Sequence, residues 1–403
     1  MNNKIKAAVA GAVLASASVA NAGITWDAGE WTVDMIGNVN AFAVFSSADN
    51  STGPVGGLAA TQGAADADKD SMSISTGLLP AWLGFTATTR QNDLDTSVTI
   101  SFQPGMGGNA ALQGGGNTEN RQAFLTFGDK SWGSVKLGKD LGIFASTAIL
   151  NDMTLLGVGA TGGTVGNGVG NGTGAGTTTT LGGIGTGYLY ADWKGQIAYT
   201  TPNMNGLSAT LGITQPWNGS GSTGTTDNFA YEAQVSYSWT GDFAGKLWGG
   251  FFSQDVTGIG AGNTESDATA FEIGASTSIY NINLVAYGYS GEGVGTTGML
   301  VQGFDANGSK RDSDGGYVQA TYVIPMGTKL GVSYGVSRLD DNAVDAGTNL
   351  LEENNRVTVG AYHPLTKHLN LVAEYSAVES ESHLSTQGDA EQDIFSVGAI
   401  LFF

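Results

Sequence analysis

Cysteine is absent from this chain of 403 residues, and proline occurs only 7 times. Without cysteine, the fold is not built on disulfides and has no thiol chemistry. After the first segment, no apolar stretch reaches the roughly 20 residues that a membrane-spanning helix needs. A barrel of membrane strands also lacks such stretches, because its outward and inward side chains alternate. The hydropathy therefore argues against membrane helices and leaves strand-built folds open.

Positive charge is scarce as well, because 16 Lys and Arg stand against 36 Asp and Glu, a net charge of −20. This balance argues against nucleic acid as a partner, since phosphate binding needs clustered Lys and Arg. The acidic excess has two interpretations, solvated surface loops or a role in selecting ions. Composition does not choose between them.

Histidine is almost missing, with only 3 residues, His363, His368 and His383. None has the spacing of a metal site, and no Ser-His-Asp group or paired carboxylates occur at a definable position. Residues 305–309 (DANGS) partly match a calcium loop, but Lys310 stands where that loop needs Gly. We therefore predict no enzyme activity, no cofactor and no metal.

The first 22 residues have the pattern of a secretory signal. Lys4 and Lys6 precede the apolar run of residues 7–19, and Ala20 and Ala22 form a small-x-small cleavage site. The alternative, a membrane anchor, requires a longer apolar run. We expect residues 1–22 to be removed and residues 23–403 to form one exported domain.

Glycine, with 64 residues, is abundant, and the exported part repeats one pattern. Segments of about eight to twelve residues alternate apolar and polar side chains. Within residues 229–239, Tyr231 and Val235 lie on one face, whereas Glu232 and Gln234 lie on the other. A period of two predicts β-strands, and the uncharged face must meet something apolar.

Short turns alternate with long loops between these segments. Residues 202–206, 280–281, 326–328 and 366–368 are predicted turns, whereas residues 217–228, 258–269 and 291–314 are predicted loops. Turns at one end and loops at the other are typical of outer-membrane barrels, and the pattern gives about sixteen strands. The fold class predicted is an all-β, antiparallel transmembrane barrel.

A soluble β-sandwich could use the same strands, but the C-terminus favours the barrel. Phe395, Val397, Leu401 and Phe403 form one apolar face, and the chain ends on Phe403. A last strand ending in Phe resembles the signal that the bacterial barrel-insertion machinery reads. The expected location is therefore the cell outer membrane, with its lipid and the barrel-assembly machinery as partners.

Three stretches resemble the Gram-negative general diffusion porins. Residues 121–140 (RQAFLTFGDKSWGSVKLGKD) are similar to a hairpin of that family, and residues 143–158 (IFASTAILNDMTLLGV) resemble the start of its third loop. Residues 197–213 look like the hairpin that follows. The resemblance implies a sixteen-stranded barrel, a homotrimer and a third loop folded into the lumen.

In that family, acidic residues of the third loop face a ladder of basic residues on the wall. Asp152 matches the loop acid and Arg121 matches one rung, whereas Asn38 and Trp82 stand where two other rungs would be. The second loop acid is replaced by an apolar residue near Leu156. The predicted constriction is Asp152, Arg121, Trp82 and Asn38, with Asp152 approaching Arg121.

Strand parity predicts further residues that line the pore, with acidic and basic side chains nearly in balance. The acidic residues are Asp34, Asp192, Glu232, Glu272 and Glu374, and the basic residues are Arg90, Arg121, Lys136, Lys194 and Arg356. The acidic excess is then expected in the loops. The Gly- and Thr-rich residues 163–183 are either a flexible linker or a lid over the pore.

These features predict a water-filled channel for passive diffusion of ions and small hydrophilic solutes, moderately cation-preferring. Two alternatives stay open, a substrate-selective outer-membrane channel and a non-conducting structural or adhesive surface barrel.

Overall fold

The computed structural model describes residues 23–49, 53–59, 70–104, 118–161, 179–217, 227–259, 264–384, 386 and 389–403. The predicted signal, residues 1–22, lies outside this range, as does most of the Gly- and Thr-rich tract. Among the residues described, no helix is both long and apolar enough to cross a membrane.

Within the described residues, nineteen strand segments form one antiparallel sheet. The first nine are β1 (Ile24–Ala28), β2 (Trp31–Ala48), β3 (Asp70–Ser75), β4 (Trp82–Gln91), β5 (Leu94–Pro104), β6 (Thr118–Glu119), β7 (Ala123–Asp129), β8 (Gly133–Leu141) and β9 (Trp193–Thr200). The others are β10 (Leu207–Thr214), β11 (Ala230–Trp239), β12 (Phe243–Ile259), β13 (Thr264–Ile279), β14 (Ile282–Glu292), β15 (Asp312–Val323), β16 (Lys329–Leu339), β17 (Leu351–Pro364), β18 (Leu369–Ser382) and β19 (Ala390–Phe402). Helix α1 (Ser146–Asn151) and a 3₁₀ helix (Met153–Leu156) lie between β8 and β9.

The segments form a closed barrel of 16 strands, which confirms the predicted fold class. Three barrel strands are made of two segments each. β3 and β4 pair in turn with the two halves of β2, and β6 and β7 pair in turn with β5. β19 and β1 lie along the opposite edge of β2. Backbone hydrogen bonds of 2.8 and 3.0 Å between Gly37 and Phe403 complete the closure.

Side chains alternate between the two faces of the wall as predicted. On β11, Tyr231, Val235 and Tyr237 are exposed on the outer face, whereas Glu232 is buried on the inner face. Closure pairs every strand on both sides, so the outward apolar face is left without a sheet edge, as a lipid environment requires.

One loop prediction was wrong in detail. Residues 258–269, predicted as a long loop, belong largely to β12 and β13, which are 17 and 16 residues long. Polar residues such as Asp255 and Asp267 pair across this hairpin, so the pattern there looks like a loop although the backbone is extended.

Candidate functional site

The third loop, residues 142–192 between β8 and β9, starts against the inner face of β11 and β13. The backbone N–H groups of Ile143 and Phe144 donate to one carboxylate oxygen of Glu232, at 2.7 and 2.9 Å. The next residue, Ala145, donates to Glu272 at 3.1 Å. Carboxylates are strong acceptors for backbone N–H groups. The two wall glutamates therefore fix the entry of the loop.

Helix α1 and the 3₁₀ helix then cross to the inner face of β15. The hydroxyl of Tyr317 donates to the carbonyl of Ala148 at 2.8 Å, and the amide of Gln319 donates to the carbonyl of Asn151 at 3.0 Å. Gln319 also accepts from the N–H of Met153 at 2.6 Å. These contacts satisfy carbonyl groups that a short helix leaves free at its end.

A third glutamate holds the far side of the loop. Glu374 on β18 accepts from the N–H groups of Val158 and Gly159, at 2.7 and 3.0 Å, and from the hydroxyl of Tyr362 at 2.6 Å. Gly157 passes close beside it, and a Cβ there would lie 2.0 Å from the carboxylate. Only glycine allows this approach without a shift.

The loop acid Asp152 does not pair with Arg121, so that part of the prediction was wrong. Asp152 accepts a hydrogen bond from the hydroxyl of Tyr188 at 2.7 Å and lies 3.9 Å from the guanidinium of Arg356 on β17. Arg121 pairs with Glu119 at 2.7 Å. Because the loop docks on β11, β13 and β15, Asp152 lies away from Arg121 and close to β17.

The other three predicted constriction residues line one space, which we call the wall cavity. Asn38, Trp82 and Arg121 bound it on the barrel side, and Leu150 and Leu155 bound it on the loop side. Its volume is about 450 Å³. The structure thus brings the loop and these three wall residues together, with apolar side chains in place of the expected acid.

A second space, the inner vestibule, lies between the loop and the short turns. It has a volume of about 880 Å³ and shares Leu150 and Leu155 with the wall cavity. It reaches the turn residues Tyr280 and Thr366. The two spaces therefore adjoin at the third loop.

Four of the predicted pore-lining residues lie beneath the loop and do not face open water. Glu232, Glu272, Glu374 and Arg356 are each 5 % exposed or less. Lys194 is buried with them and pairs with Glu232 at 2.5 Å. These side chains lie on the side of the wall that faces the loop, whose backbone N–H groups need acceptors and cover the carboxylates.

The remaining predicted residues occupy different places. Arg90 lies at the short-turn end, paired with Asp95 at 2.8 Å and with Asp129 at 3.0 Å. At the same end, Asp34 accepts from Thr25 at 2.5 Å. Lys136 pairs with Asp140 on the same strand. Asp192 lines the wall cavity.

Strand parity missed the aromatic residues on the inner face. Tyr287, Tyr317 and Tyr362 are all buried there, and the hydroxyl of Tyr287 donates to Glu272 at 2.9 Å. Each of these tyrosines stands on the polar face of its strand, and this position is the sequence feature that could have identified it. A large aromatic side chain facing inward indicates that a loop, and not only water, fills that level of the barrel.

Residues 305–309 form a closed turn. The carboxylate of Asp305 accepts from the N–H groups of Asn307 and Ser309, both at 2.8 Å. Within the part of the chain that the structure describes, no group of three or more His, Cys, Asp or Glu side chains is arranged to hold a metal ion.

Comparison with known proteins shows one family. A model described as Gram-negative porin matches residues 7–383. No curated protein matches the chain in a sequence search.

Solved structures share the fold at low sequence identity. The outer membrane channel DcaP of Acinetobacter baumannii has a TM-score of 0.68 at 15% identity and covers 94% of this chain and 99% of its own. An anion-selective porin from Comamonas acidovorans has a TM-score of 0.62 at 17% identity, with 93% and 100% covered. The trimer form of OmpT of Vibrio cholerae has a TM-score of 0.56 at 16% identity, again with 93% and 100% covered.

Replacing Glu374 with Gln should loosen the third loop. The neutral amide loses the charge-assisted hydrogen bonds from Val158 and Gly159, each of which contributes about 1.5–3 kcal/mol against about 1 kcal/mol for a neutral bond. Open-channel current noise in planar bilayers should rise, and limited proteolysis should cut the loop faster. Glu353→Gln, which loses a carboxylate paired with Arg338 at the loop end, is the matched control. Equal noise in the two variants would show that Glu374 does not hold the loop.

Proposed function

The chain belongs to the Gram-negative porin family, and on that premise we propose that it is an outer-membrane channel for passive diffusion of ions and small hydrophilic solutes, with a moderate preference for cations. The observation that carries this proposal is a closed barrel whose third loop lies on the inner wall and leaves two adjoining spaces. Diffusion through such spaces needs no cofactor and no chemical step.

We also propose that the protein reaches the outer membrane through a cleaved signal, residues 1–22, and that Phe403 is read during assembly. The apolar outer face supports a lipid environment. The backbone pairing of Phe403 with Gly37 supports a role for the last residue in closing the barrel, because the final strand must meet the first.

Cation preference would arise at the loop end, where acidic residues dominate. The described basic residues there are already paired. Lys310 contacts Glu292 at 2.8 Å, Arg338 contacts Glu353 at 2.7 Å, and Arg311 contacts Asp345 at 2.6 Å. Many carboxylates remain outside these pairs, including Asp227, Asp312, Asp340, Asp341, Glu379 and Glu391.

The Arg311–Asp345 pair joins the loop after β14 to the loop after β16. The hydrogen bonds from Arg311 hold the pKa of the Asp345 carboxyl below its usual value, with desolvation acting in the opposite direction. A lowered folded-state pKa stabilises the loops above the unfolded pKa of about 3.9, and this contribution is lost as the pH falls through the folded value. The loop end therefore stays acidic and ordered at neutral pH.

The inner vestibule has the opposite charge. Lys246, Lys329 and Lys367 line it, and among the described residues of its lining only Asp152 is acidic, and it is buried beside Arg356. These lysines oppose cation entry from the turn side. The preference for cations is therefore moderate, and it depends on the side from which the ion enters the barrel.

A non-conducting structural barrel is the alternative that one observation favours. Residues of three loops, among them Leu58, Leu189 and Met299, are fully buried within the loop end of the barrel. If this packing closed the passage, the protein would act as a surface barrel only.

Planar bilayers should show discrete conductance steps in KCl. Reversal potentials across a salt gradient should indicate cation preference near 0.1 M and little preference near 1 M, because the Debye length shrinks from about 10 Å to about 3 Å. Replacing Asp340 and Asp341 with Asn should reduce the low-salt preference, whereas Asp93→Asn at the short-turn end should not. Anion preference at low salt would overturn the ion assignment, and absence of steps would overturn the channel.

We propose a homotrimer because one part of the wall is too short to span lipid alone. β9 and β10 have 8 residues each, and a membrane strand needs about 9–11. A neighbouring copy would cover this part. The trimer form of OmpT of Vibrio cholerae, which shares the fold, supports an oligomer of three copies.

Native mass measurement in mild detergent should give three copies. Leu211→Arg on β10 should dissociate the oligomer, because it places a charge on the short wall. Val332→Arg on β16 places the same charge on the longer wall and should not. A monomer in every detergent would contradict the trimer, and equal effects of the two variants would contradict its location.

A further inference from the structure

The wall cavity combines an apolar lining with two opposite charges, and we propose that it binds zwitterionic amino acids with an apolar side chain. This inference rests on the proposed channel function and names a class of solute for the same site.

The lining of the cavity is largely apolar. Trp82 and Trp193 lie on the barrel side, and Leu150, Leu155 and Ile184 come from the third loop. Sites for small organic molecules are mostly apolar spaces of about 300–1,000 Å³ with a few polar groups that orient the ligand. A volume of about 450 Å³ falls in this range. A passage used only by inorganic ions has no need of two tryptophans.

Two charged residues of the lining remain available to a ligand. The nearby ion pairs are those of Arg121 with Glu119, Lys136 with Asp140 and Lys194 with Glu232, so within the described residues neither Lys139 nor Asp192 is in an ion pair. Both line the cavity. A zwitterion presents a carboxylate to the lysine and an ammonium group to the aspartate, and it leaves the net charge unchanged.

The surroundings of Asp192 agree with this role. Burial raises the pKa of its carboxyl, while the backbone N–H of Trp193 and the ammonium groups of Lys194 and Lys139 oppose the rise. A carboxylate that is partly desolvated and has no direct cationic partner gains from a ligand ammonium group. Arg121 lies 5.9 Å over the ring of Trp193, and this packing keeps the indole in place beside the charged end.

The position of the cavity also fits a solute in transit. Leu150 and Leu155 separate it from the inner vestibule, so a bound molecule that moves towards the short turns must pass them. An apolar side chain can slide across these leucines. A net-neutral solute also avoids the opposite potentials of the acidic loop end and the lysine-lined vestibule.

The test uses the full-length channel in planar bilayers and four small molecules added to KCl. Phenylalanine should interrupt the open-channel current. Phenylpropionate, which lacks the ammonium group, and phenethylamine, which lacks the carboxylate, should each bind about fivefold more weakly, the effect of one partly exposed charge pair. Serine, a zwitterion without the apolar group, should cause no measurable block. Equal block by phenylalanine and serine would overturn the inference.

Two variants test which residue of the cavity binds each charged group of the ligand. Lys139→Gln should weaken the binding of phenylalanine about fivefold and leave the binding of phenethylamine unchanged. Asp192→Asn should weaken the binding of phenylalanine and leave the binding of phenylpropionate unchanged. Lys130→Gln and Asp93→Asn are matched controls in short turns. KCl conductance of each variant shows that it has folded. If the wild type gives no KCl steps, the channel proposal fails; if steps occur but phenylalanine binding ignores both charges, only this inference fails.

Discussion

Hydrogen bonds between three wall glutamates and the backbone of the third loop determine the interior of this barrel. Glu232 and Glu272 accept from three consecutive N–H groups at one end of the docked segment, and Glu374 accepts from two at the other. A barrel in lipid turns its polar side chains inward, and buried carboxylates need partners. The loop supplies them, and its position then defines both the wall cavity and the inner vestibule.

Charge is distributed along the axis of the barrel and not across a single constriction. Asp152 and Arg356 lie together beneath the loop, so the loop acid does not face a basic residue of the wall cavity. Acidic residues lie at the loop end of the barrel, and the lysines of the inner vestibule lie towards the short turns. Between them, Trp82, Leu150 and Leu155 give the wall cavity an apolar lining.

The architecture could be predicted from the sequence because it depends on local patterns. The parity of residues such as Tyr231 and Glu232 determines which face meets lipid, and short turns mark one end of the barrel. The inner contacts could not be predicted in this way. Whether Glu374 faces water or a loop depends on residues more than 200 positions away, such as Val158. For the same reason Asp152 was assigned to Arg121 and not to Arg356.

The absence of cysteine allows one direct measurement of whether solutes pass between the third loop and the wall. A Leu150→Cys channel, in which the side chain shared by the two spaces becomes a thiol, can be treated in a planar bilayer with a bulky methanethiosulfonate reagent. The account predicts a stepwise loss of current that persists after the reagent is washed out and is reversed by a reducing agent, with no effect on the wild type or on Leu125→Cys on the outer face. Complete labelling of Leu150→Cys with an unchanged current would contradict it.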